Sequence, residues 1–217
     1  MARQVKVITA AEAAALIKNG DTVTTSGFVA SAIPEALDRA VEERFLATGE
    51  PRDITYVYCG SQGNKDGRGA EHFAHEGLLK RYIAGHWATV PALQKMALEN
   101  KMEAYNVSQG ALCHLFRDIA AHRPGCFTKV GLGTFIDPRN GGGKVNDVTK
   151  EDIIELVNIK GQDYLFYPAF PINVALIRGT YADESGNISF EKEVSPLEGT
   201  SVCQAVKNSG GIVVVQV

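Results

Sequence analysis

The sequence predicts an α/β protein built on an open, mainly parallel sheet with flanking helices and a small β extension. Short apolar segments rich in β-branched residues alternate with amphipathic segments long enough to form helices, a pattern typical of βαβ units. In addition, glycine or a capping residue follows most of the apolar segments, as expected where a strand turns into a helix.

The first elements of the chain carry clear start and stop signals. Thr9 and Glu12 form a capping box ahead of an alanine-rich helix that Gly20 ends. A Thr/Val-rich strand over 21–26 leads through a glycine turn to a helix that begins at Pro34. The same pattern then recurs, with strands predicted over 54–58, 82–84, 104–107 and 173–178 and with helices that begin at Pro91 and Ser108.

The later part of the chain changes character. Thr149 is a candidate N-cap for a helix that Gly161 would end, because apolar residues recur between them at helical spacing. The range 161–195 is aromatic and interrupted by prolines, and we predict it as a β extension with a hairpin over 181–190. A last helix precedes an apolar strand over 212–215 of the buried kind, so we expect another polypeptide or further sequence to complete the core.

Composition places the chain among ordinary globular proteins. It has 217 residues, 45% of them apolar and 22% charged, which suits a single domain over 1–217. The net charge of −3 gives no basic stripe for nucleic acid or acidic membranes, and we expect neither partner. The sequence shows no bilayer-spanning run and no signal peptide, so we expect a cytoplasmic protein. Four scattered cysteines indicate reduced thiols rather than a disulfide framework or a metal site, and we expect no metal.

A glycine-rich stretch over 131–146 is the most unusual part of the sequence, with five glycines in sixteen residues. Because it follows an apolar segment and precedes the helix predicted after Thr149, we expect it at the ligand-binding edge of the sheet. It is not a nucleotide P-loop, since Val145 and Pro138 stand where that motif needs Ser/Thr and Gly. The sequence also lacks the Gly-x-Gly-x-x-Gly fingerprint of dinucleotide sites.

The residues by themselves identify no nucleophile. Neither a Gly-x-Ser-x-Gly elbow nor a metal-ligand pattern is present. His72 and His75 would share a helical face, but without a third ligand we expect them to be solvated surface residues. Glu35, in the first turn of a helix, has a structural explanation in the helix dipole.

Three turns are better suited to ligand binding than to covalent chemistry: Gly27-Phe28, Gln109-Gly110 and the range 131–135. Each follows a predicted strand. If those strands are parallel and adjacent, their backbone N–H groups meet at one sheet edge, where they could hold an oxyanion. The alternative is three unrelated turns, and these residues alone favour it.

The same turns belong to a set of motifs that resembles a known protein family. In order along the chain, the motifs are Gly27-Phe28 with 33–37, then 108–110, then 131–139, and finally 174–178 with 185–187. Together they resemble the family I coenzyme A transferases over nearly the whole chain. The segments 142–146 and 148–152 look most like the acetate/propionate branch, whose members are single chains about twice this long.

The resemblance implies a CoA-transferase-like fold of two similar halves, of which this chain is similar to the first, or α-type, half. In the family, a glutamate of the second half attacks an acyl-CoA thioester, and a glutamyl-CoA thioester then passes CoA to another carboxylate. The resemblance thus implies that this chain carries no catalytic residue and that its partner is the second half. It also implies a homo-oligomer. CoA and acyl-CoA are implied as substrates, with no permanently bound cofactor.

The site residues implied by the resemblance are supporting ones, at the acyl group: Gly27, Phe28, Gln109, Gly110, Gly133, Thr134 and Phe135. Glu198-Gly199 is only superficially similar to the family's nucleophile motif. A second hypothesis is a non-catalytic module on the same scaffold that binds a small carboxylate or a sugar phosphate.

Overall fold

The computed structural model describes residues 5–217; residues 1–4, which belong to the stretch considered for a signal peptide, lie outside them. The helices are α1 Ala10–Ala14, α2 Glu35–Thr48, α3 Pro91–Leu98, α4 Gln109–Ala120 and α5 Gly199–Asn208, with 3₁₀ turns at Gly69–Phe73 and Pro138–Asn140. The strands are β1 Thr22–Thr25, β2 Ile54–Tyr58, β3 Leu79–Ala84, β4 Glu103–Asn106, β5 Gly125–Thr128, β6 Glu155–Ile159, β7 Gln162–Pro168, β8 Val174–Arg178, β9 Tyr181–Ala182, β10 Ile188–Ser189 and β11 Ile212–Gln216.

The main sheet has six strands in the order β11-β8-β1-β2-β3-β4, and every neighbouring pair is parallel. β1 therefore lies inside the sheet, between β8 and β2. Its Val23 and the facing Tyr56 of β2 are both fully buried. Parallel strands need helical crossovers that cover both faces, which explains the apolar character of these strands. The predicted fold class, an open parallel sheet with flanking helices, is confirmed.

Helix starts follow the predicted signals. Thr9 and Glu12 form the capping box at α1, with the Glu12 carboxylate accepting from the Thr9 N–H at 2.8 Å. Ser108 caps α4, and its hydroxyl accepts from the Ala111 N–H at 3.3 Å. The apolar face of α4 is buried, including Leu112 and Phe116. Both predicted helix starts are confirmed.

The helix predicted after Thr149 is wrong, because this segment forms strand β6. The Thr149 hydroxyl accepts from the Ala104 N–H of β4 at 2.7 Å instead of capping a helix. β6 pairs antiparallel with β7 through a two-residue turn, in which Lys160 and Gly161 both have positive φ. Such turns match the twist of a hairpin. The apolar spacing that suggested a helix arises from one strand and the bend before it.

The range 161–195 contributes strands to three sheets. β7 lies between β5 and β6 in a three-stranded antiparallel sheet, β8 is inside the main sheet, and β9 and β10 form a separate hairpin. The hairpin prediction is confirmed. We keep the assignment of 1–217 to a single domain as a proposal.

Strand β11 lies at an edge of the main sheet rather than in its interior. Val214 is buried, but Ile212 is 45% exposed. The prediction of a buried strand is therefore wrong for part of β11. An apolar run of this length does not distinguish an interior strand from an edge strand that is covered on one face only.

A buried carboxyl group lies between α2 and the sheet. Asp38 is fully buried, and neither of its oxygens has a hydrogen-bond partner among residues 5–217. Burial, with a smaller contribution from the Glu35 charge, raises the pKa of Asp38 well above its usual range. The folded state therefore holds a proton that the unfolded state releases above about pH 4. It follows that this group lowers the free energy of unfolding as pH rises.

We expect Asp38→Asn to raise the free energy of unfolding at neutral pH by roughly 1–3 kcal/mol, because the amide carries no charge to bury. The gain should shrink toward about pH 4, where Asp38 is protonated in both states. Urea denaturation across this pH range measures it. Glu43→Gln, an exposed change on the same helix, serves as the control. A loss of stability in Asp38→Asn that is equal at every pH would contradict the assignment.

Candidate functional site

The turn after β1 needs glycine. Gly27 has φ +117°, and a Cβ atom there would lie 3.0 Å from the Ser31 carbonyl oxygen. The turn closes through reciprocal hydrogen bonds of 3.0 Å between the Phe28 and Ser31 backbones. Phe28 itself is 41% exposed. The turn thus places a partly exposed aromatic ring at the carboxyl edge of the sheet, just beyond the end of the interior strand β1.

Gln109 follows a different strand but lies at the same edge of the sheet as Phe28. It is the first residue of α4, three positions after the end of β4. A Cβ atom at Gly85, just after β3, would lie 2.5 Å from the Gln109 Cα atom. A Cβ atom at Gly60, shortly after β2, would lie 3.1 Å from the Phe28 ring and 3.9 Å from the Gln109 amide nitrogen. We call Phe28, Gly60 and Gln109 the edge cluster.

The edge cluster joins turns from strands that are not neighbours. β1 and β4 are separated by β2 and β3, so the condition that the strands be adjacent is not met. The turns meet nevertheless, because glycine at positions 60 and 85 leaves room for the Phe28 ring and for the start of α4. Gly110 is exposed beside Gln109. The first amide groups of a helix have no intrahelical acceptor, so this corner presents free donors and an amide side chain.

The turn that carries Phe28 holds two residues in a strained backbone conformation. Val29 and Ala32 both have φ +53°, a left-handed conformation that is unfavourable for a β-branched residue. Val29 is held there by two hydrogen bonds with the next loop: its N–H donates to the Ser61 carbonyl at 2.9 Å, and its carbonyl accepts from the Gly63 N–H at 2.8 Å. Strain of this kind persists only where surrounding contacts enforce it, and it is common at functional sites.

A buried hydrogen-bond network lies behind the turn. The Tyr56 hydroxyl is 2.7 Å from the Thr25 hydroxyl and donates to the Gln62 side-chain oxygen at 2.5 Å. Thr25 also donates to Gln62. All three side chains are buried, and burial raises the pKa of Tyr56. Sequence reasoning missed Gln62, because a Gly-rich, polar context gives no sign that one of its residues is buried.

The glycine-rich stretch lies elsewhere than predicted. It follows β5 of the small antiparallel sheet, and the next element after it is strand β6 rather than a helix. Its second part lies along the open edge of β4, where the Asn106 N–H donates to the Gly143 carbonyl at 2.8 Å. Gly143 has φ +75°, and a Cβ atom there would lie 2.8 Å from the Asn106 carbonyl oxygen. The stretch therefore covers a sheet edge, which would otherwise be free to pair.

Gly133, Thr134 and Phe135 form a tight turn within this stretch. The buried Asp137 carboxylate accepts from the Gly133 N–H at 2.9 Å and from the Arg139 guanidinium at 2.6 and 2.9 Å. These bonds, chiefly those from Arg139, hold the pKa of Asp137 well below its usual range. Phe135 is 55% exposed. The hydrogen bonds described for the three residues are internal to the stretch, and none links them to the edge cluster.

The expectation of solvated histidines is wrong for His72, which is 8% exposed. Its Nδ1 atom lies 2.5 Å from Glu42, and its Nε2 atom lies 3.0 Å from Glu35. His75 lies 2.6 Å from Glu42 through Nε2. Although burial alone would raise the pKa of Glu42, its hydrogen bonds with His75 and His72 lower it. Glu35 also accepts from the Gly69 N–H at 3.0 Å, so it ties α2 to the 3₁₀ turn.

A cleft of about 160 Å³ opens beside the strained turn, and Ala32, Glu35, Arg68 and Arg178 contribute to its walls. Within residues 5–217, no group of three or more His, Cys, Asp or Glu side chains is arranged to hold a metal ion. In the same part of the chain, no helix combines the length and the apolar character needed to cross a bilayer.

Comparison with known proteins decides the family. A family model described as coenzyme A transferase matches residues 7–217. The chain belongs to the coenzyme A transferase family. The resemblance predicted from the spaced motifs is confirmed.

Members of this family align with almost the whole chain. Caffeate CoA-transferase from Acetobacterium woodii is 46% identical over 212 residues, which are 98% of this chain and 40% of the relative. Acetate CoA-transferase YdiF from Escherichia coli K12 is 40% identical over 216 residues, 99% of this chain and 40% of the relative. The chain therefore spans about 40% of the length of these CoA-transferases.

The structure agrees with a solved CoA-transferase. The crystal structure of the acyl-CoA transferase YdiF from Escherichia coli O157:H7, in a thioester complex with CoA, has a TM-score of 0.95 at 39% identity. The alignment covers 98% of this chain and 42% of that chain.

We expect Val29→Gly to raise the free energy of unfolding by about 1 kcal/mol, because glycine adopts φ +53° without strain. Some burial is also lost, since Val29 is only 37% exposed, and the relief of strain must exceed that loss for the variant to gain stability. Val7→Gly is the matched control, because Val7 is 94% exposed and is not among the residues with positive φ. Denaturant titration of both variants measures the difference. The strain assignment fails if Val29→Gly is destabilised as much as Val7→Gly.

Proposed function

We propose that this chain is the first half, or α subunit, of an acyl-CoA:carboxylate CoA-transferase that moves CoA between short-chain carboxylates. The observation that carries the proposal is the edge cluster, formed in a chain of the CoA-transferase family at the carboxyl ends of parallel strands. In open α/β sheets this edge is where ligands bind. The relatives' names, acetate and caffeate CoA-transferase, support a carboxylate as the acceptor.

The proposed division of labour assigns the covalent step to the second half. A glutamate there attacks the acyl-CoA carbonyl and releases CoA thiolate, which then attacks the resulting acyl-glutamyl anhydride to give a glutamyl-CoA thioester and the free acid. A second carboxylate reverses these steps and leaves with CoA. The thioester complex with CoA of YdiF supports such an intermediate.

This chain supplies the wall of the acyl pocket. Gln109 offers an amide that can donate to an acyl oxygen, and the N–H groups at the start of α4, including that of Gly110, can do the same. Phe28 provides an apolar surface, and Gly27 permits the turn that directs it outward. We include Gly133, Thr134 and Phe135 as a further wall, because the Asp137 anchor makes their turn rigid while leaving Phe135 exposed.

The partner, the substrates, the oligomeric state and the cellular compartment are part of the same proposal. The partner is the second half, in one longer chain or as a separate subunit, since this chain spans about 40% of its relatives. CoA and acyl-CoA are substrates, and no cofactor stays bound. The assembled enzyme is a homo-oligomer in the cytoplasm.

We expect Gln109→Ala, made in the enzyme with both halves present, to lower kcat/KM for acetyl-CoA with propionate roughly 10- to 100-fold. This is the cost of losing one hydrogen bond to a charged or polarised oxygen. Gln204→Ala, on the exposed side of α5, is the matched control and should change kcat/KM less than about twofold. A folded Gln109→Ala enzyme with unchanged kcat/KM would remove Gln109 from the acyl site.

A further inference from the structure

The strand order of the main sheet creates a crevice between β1 and β8. From β1 the chain continues through β2, β3 and β4 on one side, whereas β8 and β11 lie on the other side, so the order reverses between β1 and β8. In open α/β sheets, ligands bind outside the carboxyl ends of the strands at such a point. The cleft of about 160 Å³ opens here, because Ala32 lies in the segment after β1 and Arg178 ends β8.

Arg178 forms one wall of this cleft. Its N–H donates to the Ser26 hydroxyl at 2.8 Å, and that hydroxyl donates to the Ala32 carbonyl at 3.0 Å, so the end of β8 is tied to the strained turn. The Arg178 Nε–H donates to Glu193 at 3.1 Å. Its two terminal nitrogens donate no hydrogen bond to any residue in the range 5–217. Part of this guanidinium group is therefore available to a ligand.

Arg68 lies in another wall of the cleft, in the loop after β2. The next residue, Gly69, donates its N–H to Glu35 at the start of α2 at 3.0 Å. A Cβ atom at Gly69 would lie 3.2 Å from the Ile33 side chain, so this loop packs closely against the turn. Arg68 is exposed, and in the part of the chain that the structure describes its guanidinium group has neither a hydrogen bond nor an ion pair.

The backbone of the strained turn adds further donors. Ala30, Ala32 and Ile33 all line the cleft, and their N–H groups donate no hydrogen bond within residues 5–217. φ is +53° at Val29 and at Ala32 but is not positive at the residues between them. Turn conformations of this kind can direct successive N–H groups into a concavity that binds anions. The cleft thus combines unpaired backbone donors with two guanidinium groups.

The two carboxylates of the cleft already have donors. One oxygen of Glu35 accepts from the Gly69 N–H, and the other lies 3.0 Å from Nε2 of His72. Glu193 accepts from Arg178, and its side chain is only 12% exposed. A cation would have to compete with these donors, whereas an anion would meet donors that have no acceptor. The unused hydrogen-bonding capacity of the cleft therefore favours an anion.

We propose that the cleft between Arg68 and Arg178 binds an oxyanion, namely a carboxylate or a phosphate group. The planar set of donors on a guanidinium group matches the paired oxygens of either group. A volume of about 160 Å³ suits a group of this size together with a few waters. The covalent steps assigned to the second half use neither arginine, so this site is additional to the acyl pocket and does not rest on the proposed function.

The test uses the protein at its natural length, without CoA or acyl-CoA. Its melting temperature is measured against increasing phosphate, at an ionic strength that sodium chloride holds constant. The same titration with acetate is made in Gln109→Ala, so that the proposed acyl pocket contributes little. We expect a saturable rise of at least about 1 °C with one or both anions. A response to phosphate alone assigns a phosphate-bearing ligand, and a response to acetate alone assigns a free carboxylate.

Three variants locate the bound anion. Arg68→Gln should weaken the apparent affinity at least about tenfold, because it removes a charged pair of donors. Lys65→Gln is the matched control, since Lys65 lies in the same loop but does not line the cleft, and it should bind as the wild type does. Glu193→Gln should bind the anion more tightly, because Arg178 then loses a competing carboxylate.

The proposal is overturned if neither anion raises the melting temperature. It is equally overturned if Arg68→Gln responds as the wild type does, or if Lys65→Gln loses as much affinity as Arg68→Gln, which would indicate a general effect of charge. None of these measurements depends on the transfer of CoA. A failure here therefore leaves the proposed function intact, and a failed transferase assay leaves this site intact.

Discussion

The candidate site depends on how closely the backbone can approach at Gly60 and Gly85. A Cβ atom at Gly85 would lie 2.5 Å from backbone atoms of Cys59 and Gln109, too near for any side chain without a shift of the main chain. A Cβ atom at Gly60 would lie 3.1 Å from the Phe28 ring. Because both positions are glycine, turns from β1, β2 and β4 meet at one edge, although β1 and β4 are two strands apart.

Much of the fold could be predicted, because its signals are local. The capping residues Thr9 and Ser108 mark helix starts by their own hydrogen bonds, and the buried parallel strands are apolar along their length. The segment after Thr149 could not be assigned in this way. Its apolar spacing fits a helix, and only pairing with β7 and with the edge of β4 makes it extended. Such long-range contacts have no counterpart in local sequence.

The exposed residues proposed for the site could be singled out from the sequence, but the buried residues behind them could not. Gly27, Phe28 and Gln109 could be proposed from the sequence because turn glycines and family motifs mark them. Gln62 and His72 could not, since each is buried by contacts with distant residues, Thr25 and Tyr56 in one case and Glu35 and Glu42 in the other. The packing of the glycine-rich stretch on β4 could not be predicted, because glycine is equally suited to close packing against a strand and to ligand binding. A chain built in this way has a shaped edge lined with hydrogen-bond donors, and in the proposed function the attacking carboxylate comes from the second half.

That division of labour can be tested by locating the covalent intermediate. The protein at its natural length is incubated with acetyl-CoA, the glutamyl-CoA thioester is trapped by borohydride reduction, and the modified glutamate is identified by peptide mass spectrometry. The account predicts a single modified glutamate in the second half and none within residues 1–217. Modification of a glutamate in this chain, such as Glu198, would contradict it.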